Sequence, residues 1–175
     1  MKSKVIATAL LAVTTTIGYS TTSYADETCY EVSGSVSTEN ITPTLQVGNM
    51  RLELNDESDT VFNETGSLVG NITGGDGFFI TLLSHKARFA QGDSFVTNDD
   101  TAVPDFQYGG NPVRGIDGNG EACSFWITET ISDIAKGSRF FKNVTSVNVT
   151  AEGYTSNCPG ENANHFTLSG TLCVE

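Results

Sequence analysis

From Cys29 onward, apolar and polar residues alternate along most of the chain, with Thr and Val frequent among them. A period of two marks a strand with one buried and one wet face, and β-branched residues suit it. The clearest case closes the chain. Phe166, Leu168, Gly170, Leu172 and Val174 fall on one face, and Thr167, Ser169, Thr171 and Cys173 on the other. The same pattern predicts strands near 29–37, 44–54, 67–73, 78–89, 93–97, 123–133, 140–152 and 165–174. Turn sequences separate them: Gly74-Gly75-Asp76-Gly77, Gln91-Gly92-Asp93, Lys136-Gly137-Ser138 and Cys158-Pro159-Gly160. After the first 25 residues no window keeps a helical period, apart from a turn at 131–136. Eight or so short antiparallel strands predict an all-β fold, either a sandwich or a closed barrel.

Three places interrupt the alternation. The apolar phase slips at Gly48-Asn49, which predicts a bulge or a tight two-residue turn, and it shifts again in Val144-Thr145-Ser146-Val147. Bulges of this kind let a sheet bend enough to close. The segment 100–122 has no periodicity and contains Pro104, Gly109-Gly110, Pro112, Gly115, Gly118 and Gly120. Loops longer than about 12–15 residues are usually functional or disordered. This one carries Phe106, Tyr108 and Arg114, which suit the cap of a barrel mouth.

The chain has 175 residues, enough for one domain that buries its own core. Its start stands apart. Lys2 and Lys4 precede an apolar run from Val5 to Val13, and a small, polar stretch ends in Ser23-Tyr24-Ala25 before Asp26-Glu27. That is the order of a secretory leader: a basic end, an apolar run of about 7–15 residues, then small residues before the cleavage site. We expect cleavage after Ala25, with 26–175 as one β-barrel domain that includes the long loop 100–122. A membrane span needs about 20 mostly apolar residues, and Thr14-Thr15-Thr16 ends this run too soon. The mature protein is therefore expected in the periplasm or outside the cell, without a membrane span.

Charge narrows the choice of partner. Nine Lys+Arg stand against 21 Asp+Glu, a formal charge of −12, and without the leader the balance is seven against 21, or −14. A nucleic-acid binder needs a basic face that displaces phosphate counterions, so that class is excluded. An apolar fraction of 38% is too high for a disordered acidic tail. All four cysteines (Cys29, Cys123, Cys158 and Cys173) survive removal of the leader, and an even count in an exported chain implies disulfides in one of three pairings. No Cys-x-x-Cys occurs, which argues against a zinc site or a thioredoxin-like motif.

Near the second slip the sequence takes on a family character. Gly137-Ser138-Arg139-Phe140 leads into Val144-Thr145-Ser146-Val147-Asn148-Val149-Thr150-Ala151-Glu152-Gly153, and Phe166-Thr167-Leu168-Ser169-Gly170-Thr171-Leu172 follows. This resembles the closing hairpin of small exported bacterial β-barrels related in fold to allene oxide cyclases and dirigent proteins. His85, Phe89 and Gly92-Asp93-Ser94-Phe95-Val96-Thr97 are similar to an earlier strand pair of the same group. The resemblance spans roughly 66–100 and 123–174. Ser146 stands where those proteins usually have Gly, and the cysteines and segment 100–122 have no counterpart in the pattern. It implies a single antiparallel barrel of about eight strands. If the sheet closes, the first strand lies beside the last, which brings Cys29 near Cys173. A turn centred between Asp133 and Phe140 would place Cys123 opposite the region of Glu152, with Cys158 close by. We therefore expect disulfides Cys29–Cys173 and Cys123–Cys158.

The candidate chemistry sits on two strands. Glu129 is in phase with Phe125, Ile127 and Ile131; if that face is interior, Glu129 is a buried acid with a raised pKa, suited to general base work. If Trp126, Thr128 and Thr130 face inward instead, it is solvated. His85 shares a phase with Phe79, Leu83, Ala87 and Phe89, and could orient a ligand, shuttle a proton or serve as a core residue. Asp117-Gly118-Asn119-Gly120-Glu121 begins like a calcium loop, but its twelfth position is Thr128 rather than the bidentate Glu an EF-hand needs, so turn chemistry accounts for it. We expect neither metal nor cofactor. Three functions follow. The first is a binder of a small apolar ligand in the lumen, lined by Phe125, Ile127, Phe79, Leu83, Phe89 and Tyr108. The second, implied by the resemblance, is a cofactor-free isomerase or cyclase using Glu129 and His85. The third is a surface or structural protein whose lumen is packed. A cavity that holds Glu129 and His85 within reach of one another would favour the second.

Overall fold

A computed structural model describes residues 27–76, 80–107 and 109–175. The expected leader and the expected lumen residues Phe79 and Tyr108 lie outside that set. The strands are β1 (Thr28–Thr42), β2 (Leu45–Asn55), β3 (Thr60–Gly75), β4 (Thr81–Phe89), β5 (Ser94–Thr97), β6 (Asp100–Pro104), β7 (Val113–Ile116), β8 (Ala122–Ile131), β9 (Ile134–Ser138), β10 (Val144–Cys158) and β11 (Glu161–Val174). A 3-10 turn, Arg139–Asn143, links β9 to β10. All pairings are antiparallel. Among the described residues eight strands close into a ring in the order β1, β2, β3, β4, β6, β8, β10, β11 and back to β1. The closing pair is β1 with β11, from Thr28↔Val174 to Thr38↔Asn164. No helix among these residues is long and apolar enough to cross a membrane.

Strand pairing sets both disulfides. Cys29 and Cys173 are direct cross-strand partners and are bonded. The second bridge joins Cys123 to Cys158. Both pairs are those expected, although the register that produces the second differs. Glu152 pairs with Thr128, and Ser124 with Ser156, so Cys123 lies at the far end of β10. β9 and the 3-10 turn lengthen the connection and shift its centre.

The elements depart from the expected pattern in four more places, one of them the expected turn Lys136-Gly137-Ser138, which is the end of β9 paired with β5. Gly48-Asn49 is neither bulge nor turn: β2 runs through it in register, with Gly48 opposite Thr38 and Leu68. A Cβ on Gly48 would fall 2.0 Å from the Ser37 carbonyl oxygen, so close backbone approach requires glycine there. The shift within Val144–Ser146 is present. Segment 100–122, expected as loop, contains β6 and β7, both paired with β8. The strand expected from Phe140 begins at Val144 instead, because Phe140 and Phe141 belong to the 3-10 turn.

That turn closes one end of the ring. Phe141 is buried against Phe62, Phe89 and Phe95 at centroid distances of 5.4, 5.9 and 5.1 Å, and Phe140 adds contacts to Tyr30 and Phe62 at 5.6 Å each. Below this aromatic plug the inward positions of the strands carry Val32, Val36, Met50, Leu52, Leu68, Val147, Val149, Ala151, Leu168 and Leu172. Toward the other end, near the β1–β2 and β10–β11 turns, the described residues leave a cavity.

Candidate active site

Three adjacent strands of the ring, β4, β6 and β8, bring together His85, Asp100 and Glu129. Asp100 pairs with Leu83, two positions from His85, and Glu129 pairs with Ala102, two positions from Asp100. Residues two apart on neighbouring strands share a face and lie within reach, and here that face is the interior. Asp99, at φ 55, bends the chain between β5 and β6 so that Asp100 enters the ring wall. An Asp tolerates that left-handed conformation better than most residues.

His85 Nδ1 lies 2.8 Å from Asp100 Oδ2 and 3.2 Å from Glu129 Oε1. The shorter contact is a hydrogen bond, and among the described residues Glu129 Oε1 and Asp100 Oδ1 are buried without a hydrogen-bond partner. Thr97 locks the geometry from behind: its hydroxyl donates to Asp100 Oδ2 and accepts the His85 backbone N–H at 2.9 Å. Thr97 and Asp100 are fully buried. A Cβ on Gly70, the β3 partner of His85, would fall 2.9 Å from His85 Nε2, so glycine makes room for the ring.

Burial and charge pull protons into the cluster. Burial drives the Glu129 carboxyl well above the usual range, His85 draws it back down, and the Asp100 charge pushes it up again. Burial works against a charged His85, but the Glu129 charge, together with the hydrogen bond and charge of Asp100, outweighs it and raises the imidazole pKa. The three groups each present one ligand atom, all within 4.8 Å of one another, so they are also the residues that could hold a cation. In a second such group, Glu27 with Cys29 and Cys173, both sulfurs are tied up in a disulfide, which leaves one carboxylate.

Above the cluster lies a cavity of about 520 Å³, a size typical of small-molecule sites. Glu129 forms part of its floor, with Leu83, Ile127 and Phe125 beside it and Ile72, Pro104 and Phe166 on the walls. A gap of about 20 Å³ beneath is also lined by Glu129, together with His85, Thr97 and Gln46. Glu129 therefore stands between the cavity and the rest of the cluster.

Of the residues expected from the sequence, Glu129 and His85 come together, and Phe125, Ile127 and Leu83 line the cavity. Phe89 does not: it points into the aromatic plug, 5.1 Å from Phe62, because it lies four residues beyond His85 toward the closed end. Of the expected cap, Phe106 lines the mouth, whereas Arg114 turns outward and stacks over Tyr154 at 3.7 Å while bonding Glu161 at 3.1 Å. His165, which sits inside β11 rather than at its start, is exposed. Asp117 accepts the backbone N–H groups of Asn119 and Glu121, the turn chemistry expected of it. Asp100 is the member that sequence reasoning missed. It ends the run Asn98-Asp99-Asp100, which reads as a solvated turn, and its one signal is that it opens the inward phase Asp100, Ala102.

Compared with known protein families, characterised proteins and solved structures, the chain has no match. Arguments about its function therefore rest on the site itself.

Proposed function

We propose that this is an exported, cofactor-free isomerase or cyclase that moves a proton on a small, largely apolar substrate. The observation that carries the reading is the contact of Glu129, in the cavity floor, with His85 at 3.2 Å. Burial that raises a carboxyl pKa prepares it to take and return a proton near neutral pH. Glu129 would accept a proton from one atom of the bound molecule and return it to another, so nothing is consumed. His85, held by Asp100 and Thr97, would stabilise the Glu129 carboxylate while the proton is away. The walls would fix the reacting conformation, which can contribute much of the rate in a one-substrate reaction. The resemblance to barrels of the allene oxide cyclase type points the same way. The leader-like first 25 residues and the two disulfides support export to the periplasm or beyond.

Native mass spectrometry of the protein from its own host tests the reading, by looking for a co-purified small molecule. That molecule, returned to fresh protein in D2O, should gain deuterium or rearrange with the wild type and not with Glu129→Gln. Retention of the molecule with no exchange or rearrangement by wild type would mean a binding protein without turnover. Equal turnover by wild type and Glu129→Gln would place the proton-handling group elsewhere.

A further inference from the structure

The cavity also has a charge preference. Among its described lining residues Glu129 is the one ionisable side chain, and no Lys, Arg or His faces the space. The nearby cations point away. Lys86 and Arg88 occupy outward positions of β4, and Arg114, next to the lining residue Val113, is held outside by Glu161 and Tyr154. The chain as a whole carries −12. An organic anion that entered would lose its hydration, meet no cationic side chain on the described lining and approach Glu129 and Asp100, whose shared partner His85 lies beneath the floor and is already engaged by both.

A cation fares little better. The place beside Glu129 and Asp100 is already taken by His85, whose Nδ1 contacts both carboxyl groups. An ammonium at Glu129 would compete with His85 Nδ1, which already lies 3.2 Å from that carboxyl. The other polar lining residues are neutral, and among them the Gln46 carboxamide also lines the gap beneath with His85; its Oε1 would lie 3.5 Å from a Cβ on Gly70, the strand partner of His85. A carboxyl that exchanges its proton and a carboxamide can each donate or accept, which suits a hydroxyl, carbonyl or ether oxygen. The apolar remainder of the ligand would run along Leu83, Ile127 and Phe125 toward the mouth.

We propose that the cavity selects uncharged molecules with an apolar body and one hydrogen-bonding oxygen, docked at Glu129 and Gln46, and that it rejects organic anions. This rests on the cavity being the substrate site of the function proposed above. Three probes that differ only at one end test it by calorimetric titration at pH 7: 4-phenyl-1-butanol, 4-phenylbutanoate and 4-phenylbutylamine. The alcohol should bind wild type at least tenfold more tightly than either charged probe. In Glu129→Gln the gap between alcohol and carboxylate should shrink at least threefold, because the repelling group is gone. Gln46→Ala should weaken the alcohol and leave the carboxylate unimproved. Equal or tighter binding of the carboxylate or the amine to wild type would overturn the charge preference while leaving proton transfer at Glu129 to be judged by deuterium exchange. No binding of any probe at millimolar concentration would overturn both the preference and the use of this cavity.

Discussion

A carboxyl group turned away from water must keep its proton or find a partner. Glu129 shares its one partner, His85, with Asp100. The consequence for stability is fixed by linkage. Folding raises the pKa of Glu129 and of His85, so the folded protein holds more protons than the unfolded chain once pH exceeds the ordinary carboxylate value of about 4.3. Stability from these two groups is then lost as pH rises, first through the Glu129 window and then above the ordinary imidazole value of about 6.5. At the acid end, backbone N–H groups hold Asp56 and Asp117 below the usual range, and the hydrogen bond from Arg114 does the same for Glu161. These three act oppositely, with stability lost as they protonate. Urea denaturation at stepped pH should therefore show a maximum on the mildly acidic side and a decline through neutrality. Glu129→Gln combined with His85→Gln should flatten that decline; a wild-type stability that climbs from pH 5 to 8 would refute the protonation scheme.

At the scale of elements, long strands and short ones obey different evidence. β1, β2, β3, β10 and β11 each run eleven residues or more, and their alternation shows plainly in the sequence. β6, β7 and β9 have five residues or fewer, too few for a period to stand out, and Pro and Gly among them mimic loop composition. They form because the paired neighbours β4, β5 and β8 leave edges to fill. The disulfides act on the same elements unequally. Cys29–Cys173 spans 144 residues and Cys123–Cys158 spans 35. In the chain-entropy account a longer closed loop restrains the unfolded chain more, by about 1 kcal/mol for this difference. Replacing Cys29 and Cys173 by Ser should thus lower the urea midpoint more than replacing Cys123 and Cys158. The reverse order would show that the second bridge stabilises chiefly by holding β7, β8 and the β10–β11 turn in the native state.

At the scale of the whole molecule, the described residues form a ring with one full end and one end that holds a cavity. Phe62, Phe89, Phe95 and Phe141 fill the first, while at the second the described residues leave a cavity of about 520 Å³. Stability and binding should therefore separate along the ring axis. Phe141→Ala removes the centre of the plug and should cost about 3–5 kcal/mol of folding stability, with little change in affinity for a cavity ligand. Phe125→Ala alters a half-buried wall and should weaken ligand binding by about tenfold, the effect of roughly 1.4 kcal/mol of lost apolar contact, with a much smaller loss of stability. Chemical denaturation and calorimetric titration of the same two variants check both halves. Unchanged affinity in Phe125→Ala would argue against a ligand on that wall.

The sequence by itself determined the all-β class, the inward faces of the long strands and the identity of Glu129 and His85 as residues to watch, because period-two patterning is local and survives without knowledge of neighbours. The Cys29–Cys173 pairing followed once closure of the sheet was assumed, since closure puts the first and last strands side by side, and Cys123–Cys158 followed from a turn between Asp133 and Phe140, although the register there is shifted. Tertiary structure decided the rest. Only the turn at Asp99 carries Asp100 from an acidic run into the wall beside His85, and only the placement of Phe141 closes one end of the ring. Both depend on contacts between residues 15 to about 80 positions apart in the chain, a range over which local pattern carries no information about which side chains meet.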